Sequence, residues 1–158
     1  KPHGIKLVGN QFVTAASWPV TTTARVAIHE LMHPPYDYPQ PELQEVVNRL
    51  REDKFLLEHF QKHDPSFGYN TWEGFIEESC VRALEQCIAE RFGIAKNARE
   101  RFTSEDGGMH VLAAVLHPLL KTRDPQQATF AEFLAFEVNK GRLRSGTIEA
   151  AYTTLIST

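Results

Sequence analysis

Apolar residues return at intervals of three and four through almost the whole chain beyond Thr23, and this restricts it to a largely helical architecture. Ala24, Val26, Ala27, Ile28, Leu31 and Met32 form the first such face. Pro34 and Pro35 stop it at His33, because neither can donate to a helix ladder, and one of Thr21, Thr22 and Thr23 is expected to cap its start. Pro41 is well placed as the first residue of a second helix running to about His63 on Leu43, Val46, Val47, Leu50, Phe55, Leu56, Leu57 and Phe60. Asp64-Pro65-Ser66-Phe67-Gly68 ends it. A third helix is expected from Thr71 to Phe92, closed by Gly93, with Trp72, Ile76, Cys80, Ala83, Leu84, Cys87 and Ile88 as its apolar stripe. A fourth, from about Met109 to Lys121, is apolar nearly all round. Phe130 to Asn139 and Ser145 to Ile156 complete the series.

The only β-prone stretch is Ile5 to Ala16, broken by Gly9-Asn10-Gln11, which suits a hairpin. The expected fold is therefore α+β but mostly α, one domain over residues 1–158 with a small N-terminal β element. A length of 158 residues with 42% hydrophobic and 23% charged side chains suits one compact core. Because the chain begins at Lys1 rather than Met, a processed product or the metal-bearing part of a larger enzyme is also compatible with that length.

Charge narrows the partners. Seventeen Lys plus Arg against 20 Asp plus Glu leave a net charge of −3, which gives no electrostatic footprint for nucleic acid or an anionic membrane. No apolar run reaches the roughly 18 residues a membrane span requires. Cys80 and Cys87 lie seven apart in a helical segment, about 10.5 Å at 1.5 Å per residue. A disulfide needs less than about 7 Å, so both are expected to be free and to serve as small hydrophobes.

The informative segment is Ile28-His29-Glu30-Leu31-Met32-His33, which contains His-Glu-x-x-His. Two histidines one helical turn apart lie on one face, so both imidazoles can reach a single ion, and neutral imidazole is a good zinc ligand. Glu30 stands beside them, where its carboxylate can take a proton from an attacking water. The plain alternative is a pair of incidental histidines on a core-facing helix.

A catalytic zinc takes a third protein ligand. The extended pattern that continues His-x-x-Gly-x-x-His is absent, since Tyr36 and Pro39 occupy those places. The richest source is the helix from Trp72 to Ala83, which carries Glu73, Glu77 and Glu78. Here the chain resembles the gluzincin metallopeptidases, in which a glutamate from a later helix joins His-Glu-x-x-His. The run Glu78-Ser79-Cys80-Val81-Arg82-Ala83 is also similar to the Glu-x-x-Val-Arg-Ala segment of an uncharacterised, peptidase-like bacterial family. These resemblances imply a zincin-like helical domain, a peptide or protein substrate, a secreted or periplasmic setting, zinc as cofactor, and Glu78 as third ligand beside His29 and His33. Arg82 stands where gluzincins usually place an aspartate, so the surroundings of the ligand must differ.

Helical geometry points another way. With Cys80 at the centre of the apolar stripe, Glu77 lies about 60° from it and Glu78 about 160° at 100° per residue, so periodicity alone selects Glu77. A helix that packs its apolar stripe on the core must present a ligand along another edge, and Gly74 and Ala89 share the Glu78 face. Glu78 is taken ahead of Glu77 and Glu73, with a solvated helix face as the alternative for each.

Other candidates are subsidiary. His110 and His117 can stabilise an oxyanion or close a cleft, though a histidine on so apolar a helix is ordinarily a hydrogen-bonded core residue. Tyr36, Tyr38, Tyr69 and Tyr152 can each supply a hydroxyl. Arg82 is expected to form an ion pair with Glu78, Glu85 or Glu77. Val8 to Ala15 stands where gluzincins bind substrate backbone by strand addition, with an ordinary hairpin as the alternative. The leading expectation is a zinc metallopeptidase with Glu30 as general base. Its rivals are a zinc hydrolase of other bonds, an inactive peptide-binding relative, and a helical interaction domain with an accidental motif.

Overall fold

In a computed structural model of the chain, residues 5–6, 12–36, 39–123 and 129–157 are described. The fold is mostly helical, with α1 (Val20–Met32), α2 (Pro41–Leu50), α3 (Lys54–Lys62) and α4 (Trp72–Arg91) in the first part of the chain. It continues with α5 (Ala98–Ser104), α6 (Val111–Lys121), α7 (Phe130–Asn139) and α8 (Thr147–Ser157). Single 3-10 turns span Pro65–Phe67 and Glu105–Gly108.

The expected β element is reduced, among the described residues, to an antiparallel ladder of β1 (Ile5–Lys6) with β2 (Phe12–Val13), pairing Ile5 with Val13 and Lys6 with Phe12. Thr14 and Ala15 leave the strand, and Val8 lies outside the described residues. No described helix is long and apolar enough to cross a membrane.

Helix α4 is the axis of the molecule. It packs against α6 and, separately, against α1, while α2 lies on α7 and α6 is flanked by α5 and α8. The apolar stripe read from the sequence supplies the core, with Trp72, Ile76, Cys80 and Ala83 clustered among Leu112, Val115 and Leu116 of α6. Trp72 Nε1 also donates to Val47 O at 2.9 Å, tying α4 to α2. Thr71 caps the start of α4 by accepting from Gly74 N. At its end Gly93 N donates to Glu90 O and Ile94 N to Ala89 O, with Gly93 at φ +67°, the paired bonds of a Schellman cap.

Three expectations are corrected. The single helix from Pro41 to His63 is two helices, because Asp53 accepts from Leu56 N at 2.9 Å and so restarts the helix. Its other oxygen accepts from Gly146 N at 2.9 Å, which binds the break to the turn before α8 and buries the carboxylate. Helix α5 was not foreseen, although Asn97 caps it by accepting from Glu100 N. Finally, none of the threonines caps α1. Pro19 occupies that position, with no side-chain cap.

No residue of α1 is fully buried, which is unusual for a helix presenting five aliphatic side chains in its last nine positions. Its attachment to α4 runs instead through half-buried residues and through the ion pairs that form the site described next.

Candidate metal centre

His29 sits on the last turn of α1 and His33 caps its C-terminal end, where Pro34 and Pro35 stop the helix, and Glu77 and Glu78 sit in the second turn of α4. One ligand atom from each of His29, His33 and Glu78 lies within 4.8 Å of the other two, and this trio can hold a metal ion. His29 Nε2 is 3.5 Å from Glu78 Oε2. Two donors each about 2.1 Å from a tetrahedral zinc would stand ~3.4 Å apart, a spacing this pair matches. The imidazoles meet edge to face with centroids 5.2 Å apart.

Each histidine turns its other nitrogen to a carboxylate. His33 Nδ1 lies 2.8 Å from Glu77 Oε1, and His29 Nδ1 lies 3.3 Å from Glu85 Oε2. A carboxylate facing Nδ1 holds the proton there and leaves Nε2 with a free lone pair, which is how protein zinc histidines are oriented. Glu77 and Glu78 therefore make different contacts. Glu78 converges on the histidine pair, whereas Glu77, the residue periodicity selects, supports His33 from the side. Glu73, half-buried in the first turn of α4, does not line the site.

Glu78 is buried within a charged stripe. Arg82 Nε donates to Glu78 Oε1 at 2.8 Å, and its other nitrogens donate to Glu105 Oε2 at 3.1 Å and Asp106 Oδ2 at 2.6 Å. Of the partners considered for Arg82, Glu78 is the one it holds. This leaves Oε2 as the oxygen turned to His29. Burial works to raise the Glu78 pKa, but the charges of His29 and Arg82 outweigh it and the carboxyl is held below its ordinary 4.5. Burial likewise disfavours charge on His33, yet the hydrogen bond and charge of Glu77 raise its pKa above 6.5.

Glu85 is buried one turn beyond Arg82. It accepts from Arg25 Nη2 at 3.1 Å and from Arg101 Nη2 as well as facing His29. Burial opposes its ionisation, but His29 and Arg101 bring its pKa down to about 2. Arg101 completes the network by donating to Gln86 Oε1 at 3.0 Å and Glu105 Oε2 at 3.1 Å. Glu85, Arg25 and Arg101 were not identified as site residues from the sequence. The signal for two of them is regular: Glu78, Arg82 and Glu85 follow a helical i, i+4, i+7 stripe, and Arg25 precedes His29 by four.

The trio opens on a cavity of about 700 Å³ whose wall includes Glu30, Tyr69 and Phe67. Glu30 thus shares the cavity with the possible ligands. Tyr69 is the tyrosine of the four candidates that the structure brings here. Its hydroxyl hydrogen-bonds Glu78, and burial with that neighbouring charge pushes its pKa up. Gly68 at φ +87° and Tyr69 at φ +60° are consecutive left-handed residues, a strained backbone for a tyrosine. Tyr36 is buried, Tyr152 packs on Phe55 and His59, and Tyr38 lies outside the described residues.

His110 and His117 do not line the cavity. His110 is the residue before α6 rather than part of it, buried with Nε2 3.2 Å from Asp106 Oδ2. Burial lowers its pKa to about 4, so the ring is neutral. His117 pairs with Glu90 at 2.9 Å and packs on Phe102. Both cysteines are free, and burial pushes the Cys80 thiol far up, which removes it as a nucleophile.

The chain matches no protein-family model, no curated protein and no solved structure.

Proposed function

We propose that this protein is a zinc-dependent peptidase. The supporting observation is the convergence of His29, His33 and Glu78, each histidine braced at Nδ1 by a carboxylate, on a cavity that also contains Glu30. Two imidazoles and one carboxylate form the donor set of zinc hydrolases with an open coordination position. The spacing of His29 Nε2 and Glu78 Oε2 fits the radius of zinc. When bound, zinc would supply Lewis-acid polarisation of a carbonyl and a lowered pKa for water.

The remaining work falls to the chain itself. Glu30 takes a proton from the attacking water and returns it to the leaving amine, as a carboxylate on the cavity wall beside the histidines can do. Glu77 steadies His33 from the side. Arg82 occupies one oxygen of Glu78, so that one oxygen remains for the metal. The cavity of about 700 Å³ is in the range that takes several peptide residues or a drug-sized ligand.

The test is metal analysis with a peptide-library hydrolysis screen, run on wild type and Glu30→Gln with and without chelator. Wild type should carry one zinc per chain and cleave peptides in a chelator-sensitive way. Glu30→Gln should keep the zinc and lose hydrolysis by at least about 100-fold. Zinc without peptide cleavage would favour a non-peptidase hydrolase or a peptide-binding relative. No zinc after reconstitution would favour the helical interaction domain.

A further inference from the structure

We propose that Glu85 is a positioning residue that fixes His29 as an Nε2 ligand, with Arg25 and Arg101 anchoring it from two different helices. This rests on the zinc reading above and assigns the device that prepares one of its ligands. Glu85 lies seven residues after Glu78 on α4, which places both on one stripe, and its side chain is only 4% exposed. Its Oε2 stands 3.3 Å from His29 Nδ1, while Arg25 of α1 donates to Oε1 at 3.1 Å and Arg101 of α5 donates to Oε2.

A carboxylate with a guanidinium on each side cannot rotate away from the imidazole without breaking a charge-assisted bond in a water-poor interior. Glu85 is the nearer of the two carboxylates facing the ring, 3.3 Å from Nδ1 against 3.5 Å from Nε2 to Glu78, so a neutral ring keeps its proton on Nδ1 and offers the Nε2 lone pair to an ion shared with Glu78. Arg25 lies on α1 one turn before His29, so the anchor also sets where the α1 backbone sits over α4. The two braces are unequal. Glu77 supports His33 with 34% of its side chain exposed, whereas Glu85 is enclosed. Arg82, lying between Glu78 and Glu85, holds Glu78 and neighbouring acids and has no part in orienting His29.

The rival account is that Glu85 merely neutralises two arginines, and two measurements separate them. The first is the tautomer of His29 in metal-free wild-type protein, read from long-range nitrogen–proton NMR correlations at a pH where the ring is neutral. Proton on Nδ1 supports the proposal and proton on Nε2 overturns it. This readout needs no metal, so it stands even where the zinc reading fails through absence of zinc.

The second is Zn2+ affinity by competition with a chromogenic chelator, together with the visible spectrum of the Co2+-loaded protein, for Glu85→Gln and the control Glu90→Gln. Glu90 is an ion-paired glutamate on the same helix that does not line the cavity. Folded Glu85→Gln should bind Zn2+ about 10- to 100-fold more weakly and shift the Co2+ bands, while Glu90→Gln leaves both unchanged. An unchanged affinity and spectrum in folded Glu85→Gln would overturn the proposal. Should that variant fail to fold, the wild-type tautomer decides.

Discussion

Lowering the pH from 7 to 4.5 should destabilise this protein chiefly through one residue that the proposed reaction does not use. His110 is 2% exposed, with Nε2 facing Asp106 and the ring stacked on Phe75 and edge-on to Tyr69. Burial is the largest influence on it, and the nearby Arg82 adds to the penalty for charging it. Asp106 and Glu78 oppose this, and the balance is a pKa of about 4 against 6.5 in the unfolded chain. Between those values the unfolded state binds a proton that the folded state does not. Stability therefore falls as pH falls through 6.5 and stops falling from this cause below about 4. A gap of about 2.5 pH units at 1.36 kcal/mol each corresponds to ~3 kcal/mol, a large share of the 5–15 kcal/mol of a typical domain. The assay is urea unfolding of metal-free wild type and His110→Gln at pH 7.5, 6.5, 5.5 and 4.5. Glutamine keeps an N–H for Asp106 but cannot titrate. His33, whose raised pKa works in the opposite direction, is present in both proteins and drops out of the difference. The gap between the two curves should change by about 2.5 kcal/mol over this window, the rest of the effect lying below pH 4.5, with wild type losing more. Parallel curves would refute the reasoning.

Other outcomes follow from the same structure. Asp53→Ala removes the α3 cap and the acceptor of Gly146 N together, and should cost about 2 to 3 kcal/mol in urea unfolding; a loss under about 0.5 would show that the helix break does not depend on it. Gly108→Ala places a Cβ 2.8 Å from Thr103 O at φ +75°, whereas Gly93→Ala meets nothing within 4 Å at φ +67°. The first should therefore lower Tm distinctly more than the second, which carries only the left-handed penalty of about 1 kcal/mol. Tyr69→Phe deletes the hydroxyl that bonds Glu78 on the cavity wall, and should lower kcat/KM for peptide hydrolysis by about 10- to 100-fold. Unaltered kinetics would take Tyr69 out of the site's chemistry.

What the sequence conveys and what it conceals divide along the range of the interactions involved. The helical faces, the stop at His33, the α4 stripe with its Gly93 cap, and the one-turn spacing of His29 and His33 all depend on neighbours within about four residues. They can be read without knowing what packs on what. The break at Asp53 was hidden because apolar residues on both sides continue an approximate helical period, while the carboxylate's partners lie at Leu56 and, 93 residues away, at Gly146. Helix α5 has a capping residue but only a short apolar face, and its Arg101 is buried for the sake of Glu85 and Glu105.

The choice between Glu77 and Glu78 shows the same division at the site. The amino-acid order establishes that this chain is largely helical and that two imidazoles and a glutamate stand within one turn of each other at the end of one helix. Which acid meets those imidazoles depends on how α1 is rotated and seated over α4. Tertiary packing alone sets that, through ion pairs linking residues 44 to 60 positions apart. Local spacing orders side chains around one helix axis, whereas the meeting of two helices is decided by contacts that no single segment contains.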